Sequence, residues 1–411
     1  MVTKKDKTII RELAERYKQM AEDPKCLERA QRIRKTNSLD PVRPIVWIEE
    51  LPWHELNIDG ALDLHCEMPL ARDMELFFRK TQLKWKYFQA DMVVEDVFYI
   101  QKACETSGTG AVVSEETVAI DSANHIISHH YNDVLDTEEK LYALKPPVVT
   151  ANPEQDRRNV ETAGELLDGI LPVKLRGHPI YHAPWDVISR LRGVEPILID
   201  LADRPEFMHK TIALFTDFYI SRWKQMEAAG LMESNLLDVH CTPAYCDDLP
   251  EGDQQNGSKL KDVWFRGTAQ LFGSISPQMH EEFDLQYMKR AMELCGPVYY
   301  GCCEALDTRI DLLKKIPNMR KIGASTWADV RSCAEQIAGN YVLSQKPNPA
   351  FVAGQADEHV IGNETAKTVE ACLKYRCPYD IVLKDISTVS YNINNLVTWN
   401  KVVQQTLDRY Y

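Results

Sequence analysis

Met319-Arg320-Lys321-Ile322-Gly323-Ala324, Tyr341-Val342-Leu343-Ser344 and Tyr379-Asp380-Ile381-Val382-Leu383 are the runs that decide the fold. Each is short, largely apolar and rich in β-branched or aromatic residues. Between them, 327–339 and 363–374 carry apolar residues at helical spacing. Strands alternating with helices in this way predict βα units and a parallel sheet. The rhythm extends upstream to Pro297-Val298-Tyr299-Tyr300-Gly301-Cys302-Cys303 with a helix over 306–315. Before that stands Leu236-Leu237-Asp238-Val239-His240-Cys241, with a helix over 277–294 opened by Ser276-Pro277. Downstream it closes on a helix over 396–410. Five successive units predict an α/β fold of the (β/α)8 TIM-barrel type; a doubly wound open sheet is the alternative. No glycine-rich nucleotide loop is found.

The first half is less regular. Residues 6–35 read as a polar-faced helix, so 1–40 is expected to be a helical arm that caps the barrel or meets a second subunit, and 41–411 the barrel domain. Pro41-Val42-Arg43-Pro44-Ile45-Val46-Trp47-Ile48 predicts an extended segment. A helix is predicted over 74–88, strand pieces at 92–94 and 97–100, strands at 172–175 and 180–184, and helices near 185–193 and 205–229. Residues 108–153 look irregular, with 117–120 and 126–131 able to pair as a hairpin, and are expected to serve as a movable lid.

The chain has 411 residues, 44% of them hydrophobic, enough for a large core. Its formal net charge of -13, with no basic stripe, argues against nucleic acid or an anionic membrane as partner. The start Met1-Val2-Thr3-Lys4-Lys5-Asp6-Lys7 leads into a charged helix rather than an apolar leader, and no apolar run is long enough to span a bilayer. The 11 scattered cysteines are then expected to be reduced thiols of a cytoplasmic protein.

In a barrel the chemistry collects at the carboxyl ends of the strands. Those ends hold Asp238-Val239-His240-Cys241 and Gly301-Cys302-Cys303-Glu304. Imidazole, thiolate and carboxylate are zinc ligands, and a catalytic site leaves one position open. Strand alternation lets His240 or Cys241 face the mouth but hardly both, and the same holds for Cys302 against Cys303. His240, Cys241, Cys303 and Glu304 are the candidate metal ligands. The plainer reading is a buried thiol acting as a small hydrophobe and a hydrogen-bonded core histidine. Asp247 and Asp248 read either as a solvated loop or, the reading preferred, as carboxylates over the mouth for acid–base work. Lys346, in a proline-bounded loop, is a catalytic cation or half of a salt bridge. Lys384-Asp385 reads as an ion pair. Trp185, His182, Trp264 and Arg266 are candidate substrate contacts, the aromatics alternatively being core.

These residues carry a resemblance. The run from Trp264 to Pro349, with Ser274-Ile275-Ser276-Pro277 before a helix and a strand ending in Cys303, resembles the uroporphyrinogen decarboxylase superfamily, in particular its corrinoid-linked methyltransferase branch. Leu191-Arg192-Gly193-Val194-Glu195, Asp200-Leu201-Ala202-Asp203-Arg204-Pro205-Glu206 and Arg43-Pro44-Ile45-Val46-Trp47 are similar to it as well, so the likeness covers most of the chain from about residue 41. Two departures stand out. Where the decarboxylase grips substrate carboxylates with arginines, this chain has Ile48-Glu49-Glu50-Leu51-Pro52, which argues against porphyrinogen decarboxylation. The branch's His-x-Cys strand end has Gly301 at the His position, and its later Cys would fall near Lys384-Asp385-Ile386.

The resemblance implies transfer of a methyl group between a small substrate and the cobalt of a corrinoid carried by a partner protein, with zinc as Lewis acid. Absence of the branch's thiol-activating trio favours the direction from a small O- or N-methylated substrate to cobalt, with Asp247 or Asp248 protonating the leaving group. A homodimer fits the polar arm and the branch's habit. The rival readings are a metal-independent decarboxylase or lyase using Lys346 and Asp248, and a non-catalytic protein that binds a corrinoid partner.

Overall fold

The computed structural model describes residues 2–119, 127–252 and 257–411. Six strands form one parallel sheet: β1 (Ile45–Ile48), β4 (Phe265–Gly267), β5 (Val298–Tyr300), β6 (Met319–Ala324), β7 (Val342–Gln345) and β8 (Tyr379–Leu383), in the order β1-β8-β7-β6-β5-β4. β2 (Phe98–Gln101) and β3 (Val173–Arg176) pair in parallel as a second, two-stranded sheet. β1, β5 and β8 are buried along their whole length, as continuous apolar runs in a helix-covered parallel sheet must be. The parallel βα architecture expected from 297–383 is therefore present.

The wall continues from β3 to β4 through the segment that follows β3. There the His182 N–H donates to the Arg266 carbonyl at 2.8 Å, and the Thr268 N–H donates to the His182 carbonyl at 3.2 Å. On the other side, β1 pairs only with β8 among the described residues. The outer edge of β1 is satisfied by side chains instead. Asp91 Oδ2 accepts from the Val46 N–H at 2.7 Å, and Lys84 Nζ donates to the Ile48 carbonyl at 2.8 Å. The hydrogen-bonded sheet is thus open between β1 and β2.

Two expectations change here. Leu236-Leu237-Asp238-Val239-His240-Cys241 is not a unit of the parallel sheet: only Asp238–Val239 is extended, in a hairpin with Thr242–Pro243. The hairpin lies inside the wall, where Thr242 meets side chains of β6, β7 and β8. In the parallel sheet the strand before β5 is instead β4, which contains Arg266, expected as a substrate contact. Residues 108–153 are also more ordered than expected: Glu115–Val118 pairs antiparallel with Ser128–Tyr131, and Cys104–Thr106 pairs with Val149–Ala151. The expected hairpin is therefore there, shifted at its first strand; Ile120 and Ile126 lie outside the described residues.

α1 (Lys4–Ala21) is capped by the Thr3 hydroxyl and packs on α3 (Pro69–Tyr87). α2 (Pro24–Asn37) reaches the amino-terminal end of the strands, where Arg320 at the start of β6 donates to the Asn37 carbonyl at 2.6 Å. Lys321, Ser344, Asp380 and Thr242 form a buried polar layer between the hairpin and strands β6, β7 and β8. Lys321 Nζ lies 2.8 Å from Asp380 Oδ2, and Ser344 Oγ 2.5 Å from Asp380 Oδ1. This buried polar layer is the floor beneath the strand ends.

Candidate metal centre

β5 ends at Tyr300, and Gly301 turns the chain at φ +105°. A Cβ at that position would meet Leu306 Cδ1 at 2.5 Å, so only glycine fits the turn. The Cys302 N–H then donates to Glu304 Oε2 at 2.8 Å, and Glu304 also accepts from Thr268 Oγ1 at 2.8 Å and the Ala269 N–H at 3.1 Å. Glu304, expected among the ligands, has both oxygens engaged in bracing the Cys302 turn.

The opposite side of the site is the hairpin tip. Cys241 stands at φ +66°. Two buried cations hold this tip by its carbonyls: Arg266 Nε donates to the His240 carbonyl at 2.9 Å, and Lys346 Nζ to that of Cys241 at 2.6 Å. Because a left-handed residue interrupts the strand, the alternation that separates neighbouring side chains no longer applies. His240 and Cys241 face the same space after all.

His240, Cys241 and Cys302 each offer a donor atom, and these atoms lie within 4.8 Å of one another. This is a group able to hold a metal ion. The thiol expected here was Cys303, and the correction follows from the Gly301 turn, which sends the first of the two cysteines inward. Cys303 is half-buried, with its sulfur 3.7 Å from Cys302 Sγ and 3.2 Å from Asp385 Oδ2. The group uses other positions than the branch's trio, whose His position is Gly301 here and whose later Cys would fall near Lys384-Asp385-Ile386.

The electrostatics favour an ionised thiol. Cys302 is held well below the ordinary thiol range, first by the hydrogen bond from Cys241, then by those from Cys303 and His240, with the Arg266 charge adding to them. Cys241 and Cys303, as donors to that sulfur, are pushed up. Lys384 Nζ lies 3.0 Å from Cys302 Sγ and 2.6 Å from Asp385 Oδ2. Burial is the largest single influence and works against its charge, but Cys302, Cys241, Asp385 and Cys303 together outweigh it and raise its pKa. Glu50 closes the ring, with Oε1 3.5 Å from His240 Nδ1 and Oε2 accepting from the Asp385 N–H at 3.2 Å. A carboxylate facing Nδ1 orients the imidazole and leaves Nε2 for a ligand. The Tyr181 ring meets His240 edge-on at 5.0 Å.

Asp186, in the first turn of the helix Pro184–Arg192, is pushed up to about 6 by burial and by the charges of Glu304 and Cys302. Asp186, Glu50, Lys384 and Cys302 were not among the expected site residues. Lys384-Asp385 had been read only as an ion pair, which it is, but one built into the site. Neither Asp186 nor Glu50 has a sequence signal that marks it.

The remaining expected residues lie elsewhere. Asp248 is ion-paired with Arg320, and Asp247 faces Arg34 of α2 at 3.2 Å. Both sit by the amino-terminal end of β6, away from the strand ends that hold the metal-site group. Lys346 is buried beneath the hairpin tip, where burial lowers it to about 8, and it acts through the Cys241 carbonyl. Arg266 is fully buried and stacks 4.4 Å over the Tyr299 ring. Trp185 packs against Phe272, with ring centroids 4.9 Å apart, in a helical cluster outside the strands. Trp264 is buried and donates to the Ala244 carbonyl at 2.8 Å. His182 is enclosed by Tyr219, Trp223 and Phe265, where burial lowers it to about 3. The three rings expected to touch substrate are core.

No known protein-family model matches the sequence, and no curated protein does either. The fold is shared with a solved methyltransferase from Methanosarcina mazei, with a TM-score of 0.50 over 93% of this chain and 99% of that one, at 10% identity. At that identity the likeness is one of fold. Among the described residues, no helix is long and apolar enough to cross a membrane.

Proposed function

We propose that this chain is a methyltransferase that moves a methyl group from a small O- or N-methylated substrate to the cobalt of a corrinoid held by a partner protein, assisted by zinc at His240, Cys241 and Cys302. The observation that carries the reading is the convergence of one imidazole and two thiols at the carboxyl ends of the strands. The donor chemistry fits zinc, and three protein ligands leave a fourth position for substrate. Zinc bound there would supply Lewis acidity toward the heteroatom that carries the methyl.

The chain's own groups do the rest. Glu50 orients His240, Lys346 and Arg266 fix the hairpin tip, and Glu304 fixes the Cys302 turn. The methyl–heteroatom bond breaks as cob(I)alamin supplies the electron pair of the new cobalt–carbon bond. The departing heteroatom keeps the old pair and takes a proton, for which Asp186, pushed up to about 6, is the suited donor. With a His/Cys/Cys group at other positions, the ligand set no longer argues for one direction; the acid at the rim does. The fold neighbour's name agrees with methyl transfer in general. The eleven free thiols suit a reducing cytoplasm.

The rival metal-independent lyase would need Lys346 and Asp248 to act together, and they lie toward opposite ends of the barrel. Metal analysis of purified protein, with a screen of methyl donors followed by the cobalt spectrum, tests the proposal. Zinc near one per chain and donor-dependent methylcobalamin are expected. Absence of both would sink it.

A further inference from the structure

The gap between β1 and β2 is not filled by protein. It holds a cavity of about 590 Å³ whose walls include Trp47, Phe77, Phe98 and Tyr99, with Lys84 and Asp238 also lining it. Phe77 is partly exposed at its rim. The cavity's charges are unevenly matched. Arg176 is committed to Glu95 at 2.8 Å and lies over the Tyr99 ring at 3.3 Å. Lys84 is committed to the Ile48 carbonyl. The Asp238 side chain makes no ion pair within 4 Å and no hydrogen bond among the described residues, with the charges of Lys84 and Arg176 acting on it from farther off. Just behind it, Glu49 leaves one carboxylate oxygen buried without a partner. Asp238 is open to solvent, so its carboxylate is accessible to a guest in the cavity. Aromatic faces and a carboxylate together recognise an organic cation, whose apolar groups take the rings and whose charge takes the carboxylate.

We propose that this cavity binds a small organic ammonium ion, its charge against Asp238 and its carbon groups against Trp47, Phe77 and Phe98. The binding does not rest on the methyl-transfer reading.

Calorimetric titration of the full chain with tetramethylammonium, tert-butanol and pivalate tests it. Saturable binding of the cation is expected, about tenfold or more tighter than the neutral probe, with no binding of pivalate. Asp238→Asn should weaken the cation about tenfold and leave the circular dichroism unchanged. Phe77→Ala, at the rim, should weaken it too and guards against a folding defect at Asp238. Tert-butanol binding as tightly as the cation, or full affinity in a folded Asp238→Asn, overturns the proposal. Binding should survive in His240→Ala, where methyl transfer is lost. Cation binding in a wild-type chain that methylates no corrinoid would leave the cavity standing and sink the reading of function instead.

Discussion

Lys384 Nζ lies 3.0 Å from Cys302 Sγ, the ammonium at the end of β8 against the thiol that follows β5. A buried cation at that distance stabilises the thiolate over the thiol. Replacing it by Lys384→Met should raise the Cys302 pKa. The pH titration of ultraviolet thiolate absorbance, read against a Cys302→Ser control, should shift upward. An unchanged titration would mean that the neighbouring thiols alone hold the charge.

The ligand group separates two adjacent cysteines. His240→Ala, Cys241→Ser and Cys302→Ser should each reduce bound zinc well below about one per chain, whereas Cys303→Ser should retain it. Elemental analysis after dialysis against a chelator makes the comparison. Loss of zinc in Cys303→Ser, with retention in Cys302→Ser, would reverse the assignment.

Glu49 gives a pH signature. Burial first, then the Asp238 charge, pushes it up to about 7 from its ordinary 4.5. The folded state therefore binds more protons than the unfolded chain between those values. Its contribution to stability is full below about pH 4.5 and is lost as the pH rises through about 7. Glu49→Gln should flatten that fall and be the more stable protein at pH 8, by about 1–2 kcal/mol once its retained accessibility is discounted. Thermal melts of both proteins across the window would show it; parallel curves would contradict it.

The buried Lys321–Asp380 pair supports the floor of the site. Asp380→Ala leaves an uncompensated ammonium in the interior and should cost about 3–5 kcal/mol in denaturant unfolding. The Lys321→Met, Asp380→Leu double change should recover much of that loss.

At the amino-terminal end of the sheet, Asp247→Asn and Asp248→Asn remove exposed ion pairs with Arg34 and Arg320. Each should change stability by less than about 1 kcal/mol and leave metal content unaltered. A lost metal site in either would place the carboxylates nearer the chemistry than their ion pairs allow.

How legible the site was depends on the residue. Strands 319–324, 342–345 and 379–383 could be read because burial on both faces demands unbroken apolar runs, and that demand is written in sequence. Gly301 was visible too, but as a missing ligand rather than as the turn that aims Cys302. The hairpin tip could not be read: a Leu-Leu-Asp-Val-His run has strand composition, and only packing inside the wall forces Cys241 into a left-handed conformation.

The amino-acid sequence thus determined the alternation of strands and helices and the zone in which thiols and imidazole occur, because periodicity and composition are local properties. Tertiary structure alone decided which sulfur faces His240, that Glu304 braces rather than ligates, that Asp247 and Asp248 sit at the far end, and that Glu50, Asp186 and Lys384 join the site. Those outcomes depend on backbone turns and on contacts between residues up to hundreds of positions apart. No spacing rule encodes them.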